Sequence, residues 1–151
     1  MDDLRVRLAS TSDLELLAAL LGELFAIERD FTADPARQRA GLALMLSDPD
    51  RRGVLVAERG GAVVGMVTAQ LVVSTAEGGL AALVEDMVVT RPERGRGAGR
   101  ALLEAIEAWA RARGATRLQL LADRDNGGAL GFYARLGWSG TRLVCLRLGG
   151  A

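Results

Sequence analysis

Apolar and polar positions alternate from Leu4 to Leu8 as Leu, Arg, Val, Arg, Leu, the two-residue period of a short half-buried strand. The period then lengthens. Leu14, Leu17, Ala18, Leu21, Leu24 and Phe25 fall three and four apart, so they line one face of a core-packing helix that runs to about Asp30. Ser12 and Glu15 have the spacing of a capping box for it. Asp34-Pro35 is a cap followed by a first-turn proline, opening a second helix through about Leu46. Val54 to Ala57 and Ala62 to Val73 read as strands, with Gly60-Gly61 as their hairpin turn. A small-residue loop leads to a central strand from about Leu80 to Thr90. A helix from about Gly97 to Arg113 follows, with Leu102, Leu103, Ile106, Trp109 and Ala110 on one side, and Gly114 stops it. Arg117 to Ala122 is another strand. Asp125 or Asn126 starts a last helix through Leu136, ended by Gly137. Thr141 to Leu148 reads as a final strand, with Cys145 as a small buried residue in it. Strands surround a strand–helix–strand centre, and helices lie at both ends. The order is therefore β-α-α-β-β-β-α-β-α-β, a mixed α/β sheet covered by helices on both faces.

Composition narrows the chemistry. The chain has 151 residues, half of them hydrophobic and a quarter charged, which suits one ordinary globular domain over residues 1–151. The formal net charge is zero, which argues against a dedicated nucleic-acid binder. The opening Met-Asp-Asp has no basic or apolar leader. The longest uncharged run, Gly60 to Ala76, is shorter than the ~20 residues a membrane helix needs. A cytoplasmic, membrane-free protein is expected. There is no His and no Lys, and one Cys. These absences exclude a Ser-His-Asp triad, a lysine Schiff base, a phosphate-loop lysine, an internal disulfide and a cysteine-cluster metal site. No metal is expected. Carboxylates, Tyr133, arginines, backbone groups and Cys145 remain.

The stretch from Leu83 to Arg100 concentrates what is left. Strand residues Val84, Met87, Val88 and Val89 run into Pro92, which has no N–H for a ladder. Gly95, Gly97 and Gly99 then lead into a helix. A glycine-rich turn feeding a helix N-terminus presents free N–H groups and partial positive charge, a phosphate-binding arrangement. Four arginines, Arg91, Arg94, Arg96 and Arg100, stand against one acid, Glu93. This reads as a pyrophosphate cradle. A Rossmann site fits less well, because Arg100 stands where the third glycine belongs and the acidic partner is met only loosely by Asp123.

Arg94-Gly95-Arg96-Gly97-Ala98-Gly99 resembles the acetyl-CoA loop of the GNAT superfamily of N-acetyltransferases. A second signature of that family follows, Asn126-Gly-Gly-Ala129-Leu-Gly-Phe132-Tyr133-Ala-Arg-Leu136-Gly137-Trp138. The two signatures and the strands around them cover roughly residues 53 to 148. The resemblance implies a mixed sheet of six to seven strands flanked by about four helices. It also implies a splay between the strands bearing Glu85 and Leu120, with the pantetheine arm in the gap. Acetyl-CoA would be the co-substrate. The amides of Gly95, Arg96, Gly97, Ala98, Gly99 and Arg100 would take its diphosphate, helped by the Arg94, Arg96 and Arg100 side chains. The main chain of Met87, Val88 and Val89 would pair with the pantetheine amides. Asn126 would cap the last helix and could also bond to the arm.

Transfer to an amine also needs a base. An alkyl ammonium of pKa ~10.4 is neutral about once in 10³ at pH 7, a penalty of roughly 4–5 kcal/mol. Glu85 is the candidate. Glu-Asp at this position resembles the diamine-acetylating branch of the family, where the Glu relays the proton, through water. Asp86, next in the strand, should face the other way. Both carboxylates also suit strand-edge salt bridges with arginines. Tyr133 would hydrogen-bond to the departing thiolate, while Phe132, Leu136 and Trp138 read as core. Glu28, Asp30 and Asp34 could attract a cationic acceptor or simply cap and solvate. The expected reaction moves an acetyl group to a primary amine of a small molecule by direct attack in a ternary complex. The acceptor would be polyamine-, amino-acid- or antibiotic-like. The alternatives are a non-catalytic acyl-CoA-binding regulatory module and acetylation of a protein N-terminus. A homodimer that completes the sheet or the acceptor pocket also fits.

Overall fold

A computed structural model describes residues 2–28 and 30–150. In chain order the elements are β1 (Arg5–Leu8), α1 (Leu14–Ile27), α2 (Pro35–Leu46), β2 (Arg52–Arg59), β3 (Ala62–Ser74), β4 (Gly79–Val89), α3 (Ala98–Ala112), β5 (Ala115–Leu120) and α4 (Gly127–Arg135). One sheet runs in the order β1-β2-β3-β4-β5. The first four strands are antiparallel, and β5 joins β4 in parallel through α3, the connection a parallel pair requires.

Five strands, not six to seven, form this mixed α/β sheet. The expected final strand is the one missing, since residues 141–148 join no strand and are exposed. Their pattern gave them strand character, but a strand exists only where a neighbouring ladder accepts it. Cys145 is accordingly exposed, not buried.

Helices cover both faces. Along β2, Val54 and Val56 pack toward α1 and α2, and Leu55 and Ala57 pack toward α3. A strand buried on both sides reads as a continuous apolar run. On one face Leu17, Leu21 and Leu42 meet Met66 and Val88. On the other, Leu102, Ile106 and Trp109 meet Val67 and Val84. No helix among the described residues is long and apolar enough to cross a membrane.

The entry to α1 is held differently from the Ser12–Glu15 expectation. The Asp13 carboxylate accepts the Ser10 N–H at 2.8 Å and takes both arms of Arg7 at 2.8 and 2.9 Å. Arg7 also reaches Glu58 at 2.7 Å, so one guanidinium ties β1, β2 and the helix entry together. That contact holds Asp13 down at about 2. Glu15 instead pairs with Arg39 of α2 at 2.9 Å. Asp34 caps α2, accepting from the Ala36 and Arg37 amides at 3.1 and 3.2 Å.

Candidate active site

Two irregularities in β4 build the site. First, β4 pairs with β5 only as far as Val84 opposite Leu120, while its pairing with β3 continues to Val89 opposite Gly65. Past Val84 the two parallel strands separate. The gap opens into a cavity of about 370 Å³, bordered by Glu28, Glu85, Met87, Val88, Val89, Arg94, Asn126 and Tyr133, among others. Second, Val67 pairs with Met87 but Ala69 pairs with Val84, so Thr68 alone faces Glu85 and Asp86. Two residues opposite one make a β-bulge, which bends the strand and re-aims its side chains. The Asp86 N–H donates to Thr68 Oγ1 at 3.1 Å, and the Thr68 hydroxyl donates to the Asp86 carboxylate at 3.2 Å.

The bulge changes how the two acids stand. In a regular strand they would face opposite ways, yet both border a second cavity of about 450 Å³ between α1, α2 and the sheet. Glu85 borders both cavities. Neither acid pairs with an arginine among the described residues. Burial, and then the Glu85 charge, push the Asp86 carboxyl up to about 6. Glu28, just past the end of α1, is also pushed up, by burial first and then by Asp86, Asp123, Asp30 and Glu85. Glu28, Glu85 and Asp123 thus line the first cavity and Asp34, Glu85 and Asp86 the second, a grouping of acids suited to a cation.

The turn before α3 is held open from behind. Gly97 caps α3 at φ +92° and Gly95 sits at φ +74°, conformations that only glycine adopts cheaply. A Cβ at either position would meet nothing within 4 Å. Among the described residues, none of the amides of residues 95–100 donates to a protein acceptor. An anion placed there would meet unpaired donors at a helix N-terminus. The arginines are more engaged than their number suggests. Arg96 pairs with Glu93 at 2.8 Å and Arg100 with Glu104 at 2.8 Å. Arg94 donates to the Val89 carbonyl at 2.9 Å, so that carbonyl already has a partner. The turn's buttress is Arg59 of β2, which sequence reasoning missed. It bonds to Glu93 at 2.8 Å and to the Arg96 carbonyl at 2.8 Å, and it also pairs with Asp2. Its distance along the chain left no signal in the pattern.

Tyr133 lies on α4, half-buried, with its ring 5.5 Å from Phe132 and 6.1 Å from Trp138. Burial, and then the Glu28 charge, hold its hydroxyl above the usual phenol range, so it stays protonated and able to donate. Asn126 Oδ1 accepts the Ala129 N–H at 3.0 Å, which is the capping role. Asn126 also borders the first cavity.

The buried Asp86 carboxyl has a measurable consequence. A folded-state pKa of about 6, above the ordinary 3.8, means that the folded chain holds this proton more tightly than the unfolded chain. The stability it contributes is present below about pH 4 and lost as pH rises through 6. Asp86→Asn is therefore expected to be about 3 kcal/mol more stable than the parent at pH 8 and nearly equal at pH 4. Denaturant melts at the two pH values check this, and no gain at pH 8 would contradict it.

Comparisons with known proteins fit this geometry. The chain matches the acetyltransferase (GNAT) family across residues 16–138. It is 33% identical to the aminoalkylphosphonate N-acetyltransferase of Salmonella typhimurium, over 88% of this chain and 83% of that one. A stretch of 56 residues, 37% of this chain, is 55% identical to the N-alpha-acetyltransferase 80 of Mus musculus but spans only 17% of that protein. The aminoglycoside N-acetyltransferase AAC(6')-Iy in complex with CoA shares the fold, with a TM-score of 0.84 at 18% identity, over 100% of this chain and 97% of that one. A splayed β4–β5 pair, a glycine turn with open amides and a matching sequence across both signatures point the same way: the chain belongs to the GNAT acetyltransferase family, N-acetyltransferases that draw on acyl-CoA.

Proposed function

We propose that this protein transfers the acetyl group of acetyl-CoA to a primary amine of a small cationic molecule, by direct attack within a ternary complex. The observation that carries the proposal is the place of Glu85 on the β4 bulge, bordering both cavities. One cavity runs along the β4–β5 gap and reaches Arg94, the residue before the glycine turn. The other carries Asp34, Glu85 and Asp86 on its walls.

The amides of residues 95–100 take the diphosphate, and the main-chain groups of Met87 and the N–H of Val89, whose carbonyl is held by Arg94, take the pantetheine amides. This aims the thioester at Glu85. An ammonium arriving through the second cavity is held by Glu85 and Asp86. Glu85 accepts its proton through water. The neutral amine attacks the thioester carbonyl, a C–N bond forms, the C–S bond breaks, and the new amide nitrogen gives its remaining extra proton to solvent. Tyr133 donates a hydrogen bond to the thiolate as its charge builds, then its proton, and is reprotonated from solvent. Arg37, which pairs with Asp34, and Arg52 also line the second cavity, but Glu85 and Asp86 pair with no arginine among the described residues and favour a cationic acceptor; the relative from Salmonella typhimurium is named for an aminoalkyl compound.

The test is to mix the protein with acetyl-CoA and a panel of acceptors, and to follow release of free thiol. The panel holds a polyamine, an amino acid, an aminoglycoside, an aminoalkylphosphonate and a peptide with a free N-terminus. Turnover of at least one small amine, saturating with its concentration, is expected. Binding of acetyl-CoA without turnover of any amine would favour a regulatory module. Turnover of the peptide alone would move the acceptor to a protein N-terminus.

A further inference from the structure

The cavity between α1, α2 and the sheet carries opposite charges on two of its walls. Asp34 and Arg37 stand 3.6 Å apart and offset each other. What is left is Glu85 and Asp86 on β4 and one cation, Arg52, at the start of β2. Leu21, Phe25, Leu42 and Met45 supply apolar wall. The strand register sets how far apart the two charged ends lie. Thr68 of β3 stands opposite the Glu85–Asp86 bulge, and Gln70, two residues on, stands opposite Arg52. Residues two apart in a strand share a face, and Thr68 and Gln70 both border this cavity. From Asp86 to Arg52 the path crosses two strand spacings and rises two residues, ~12 Å between backbone positions. The Arg52 side chain is fixed but not used up. Its Nη1 donates to the Leu44 carbonyl in the last turn of α2 at 2.7 Å. Among the described residues it has no carboxylate partner, and its Nε and Nη2 donate to no protein acceptor. That edge of a guanidinium is a fork able to grip both oxygens of one carboxylate. Gln70, half-buried beside it, makes no side-chain hydrogen bond among the described residues.

We propose that the acceptor amine carries a carboxylate at the far end of an apolar chain, and that Arg52 and Gln70 are the residues that hold this carboxylate. The inference rests on the acetyl transfer proposed above and names its substrate class. The ammonium lies at Glu85 and Asp86, the methylenes lie against the apolar wall, and the carboxylate takes the Nε–Nη2 edge of Arg52 and the side-chain N–H of Gln70. The cavity thereby selects by length and by sign. An α-amino acid, whose amine and carboxylate share one carbon, is too short to reach both ends. A diamine presents Arg52 with a like charge, which rejects it. A phosphonate brings a second negative charge that a single guanidinium leaves unmatched.

The probes are glycine, β-alanine, γ-aminobutyrate, δ-aminovalerate and ε-aminocaproate, with n-pentylamine, cadaverine and γ-aminopropylphosphonate for comparison. Thiol release from acetyl-CoA gives kcat/KM, and calorimetric titration into the CoA-saturated protein gives affinity. A long ω-amino acid is expected to exceed glycine and n-pentylamine by at least about tenfold in kcat/KM, carried by KM, as a charge-assisted contact would give. It should also exceed the phosphonate. Arg52→Gln should bring the ratio of ω-amino acid to n-pentylamine below about threefold. Arg52→Glu should invert the preference in favour of cadaverine, which loss of a merely structural contact to Leu44 would not do. The parent series decides the question even if a variant fails to fold. A parent that uses n-pentylamine or glycine as well as the long ω-amino acids, or the phosphonate better, overturns the carboxylate subsite and leaves acetyl transfer standing. So does an acid preference that survives Arg52→Glu. Binding of the ω-amino acids that depends on Arg52, with no thiol released, supports the subsite and overturns the transfer. No binding and no turnover of any probe overturns both.

Discussion

Gly97→Val is expected to remove measurable CoA binding, a loss of at least 10²-fold in affinity, while the fold survives. The valine isopropyl group would project from the position where a Cβ meets no protein atom within 4 Å, the space the diphosphate would need. A second contribution comes from the backbone. Gly97 sits at φ +92°, where a β-branched residue costs on the order of 1–3 kcal/mol. Relaxing that strain would also turn the amides of residues 95–100 away from one another. Gly114→Val separates the two contributions. Gly114 ends the same helix at φ +95° with equally open surroundings, so it carries similar strain far from the turn. Calorimetric titration should find CoA affinity lost in the Gly97 variant and kept in the Gly114 variant, with similar falls in melting temperature. Equal affinity in the two would count heavily against the cradle.

Tyr133→Phe is expected to lower turnover about 10²-fold with less than a threefold change in acetyl-CoA affinity. The substitution removes one hydroxyl and keeps the ring between Phe132 and Trp138, so the packing of α4 is preserved. What disappears is the only neutral hydrogen-bond donor that the account offers the thiolate. The loss should fall on kcat, since the charge on sulfur appears only as the C–S bond breaks. It should shrink with a thioester whose leaving thiol is more acidic, because such a sulfur needs less help. Steady-state kinetics with acetyl-CoA and an activated analogue check both points. Equal turnover in the variant would remove Tyr133 from the mechanism.

The residues that make the site were readable where chemistry is local, and hidden where it depends on a neighbouring strand. Gly95 and Gly97 before a helix announce a turn in any context, because φ and free amides are properties of that stretch alone, whereas Gly99 falls inside α3. Asn126, the residue immediately before α4, was one of two caps the pattern offered, with Asp125 the other. The arrangement of Glu85 and Asp86 was not readable in this way. Alternation placed them on opposite faces, but the bulge arises from how β4 registers on β3 opposite Thr68, and no pattern in β4 encodes it. The splay beyond Val84 is likewise a property of two strands and came from the family resemblance alone. Arg59 was missed because it supports a turn more than thirty residues away through Glu93 and the Arg96 carbonyl. Residues 141–148 show the opposite failure. Their composition is that of a strand, but composition does not supply the edge on which a strand must lie.

Cofactor binding as proposed depends on the amides of residues 95–100 gripping the diphosphate. Amide nitrogen–proton correlation spectra recorded while CoA is added report on those groups directly. The expected result is saturable shifts of the Gly95, Arg96, Gly97, Ala98, Gly99 and Arg100 signals, larger than those of the amides of β1 and β2, and much reduced with a pantetheine thioester that lacks the diphosphate. Signals from the turn that stay still while CoA binds elsewhere, or that move equally with the truncated thioester, would contradict it.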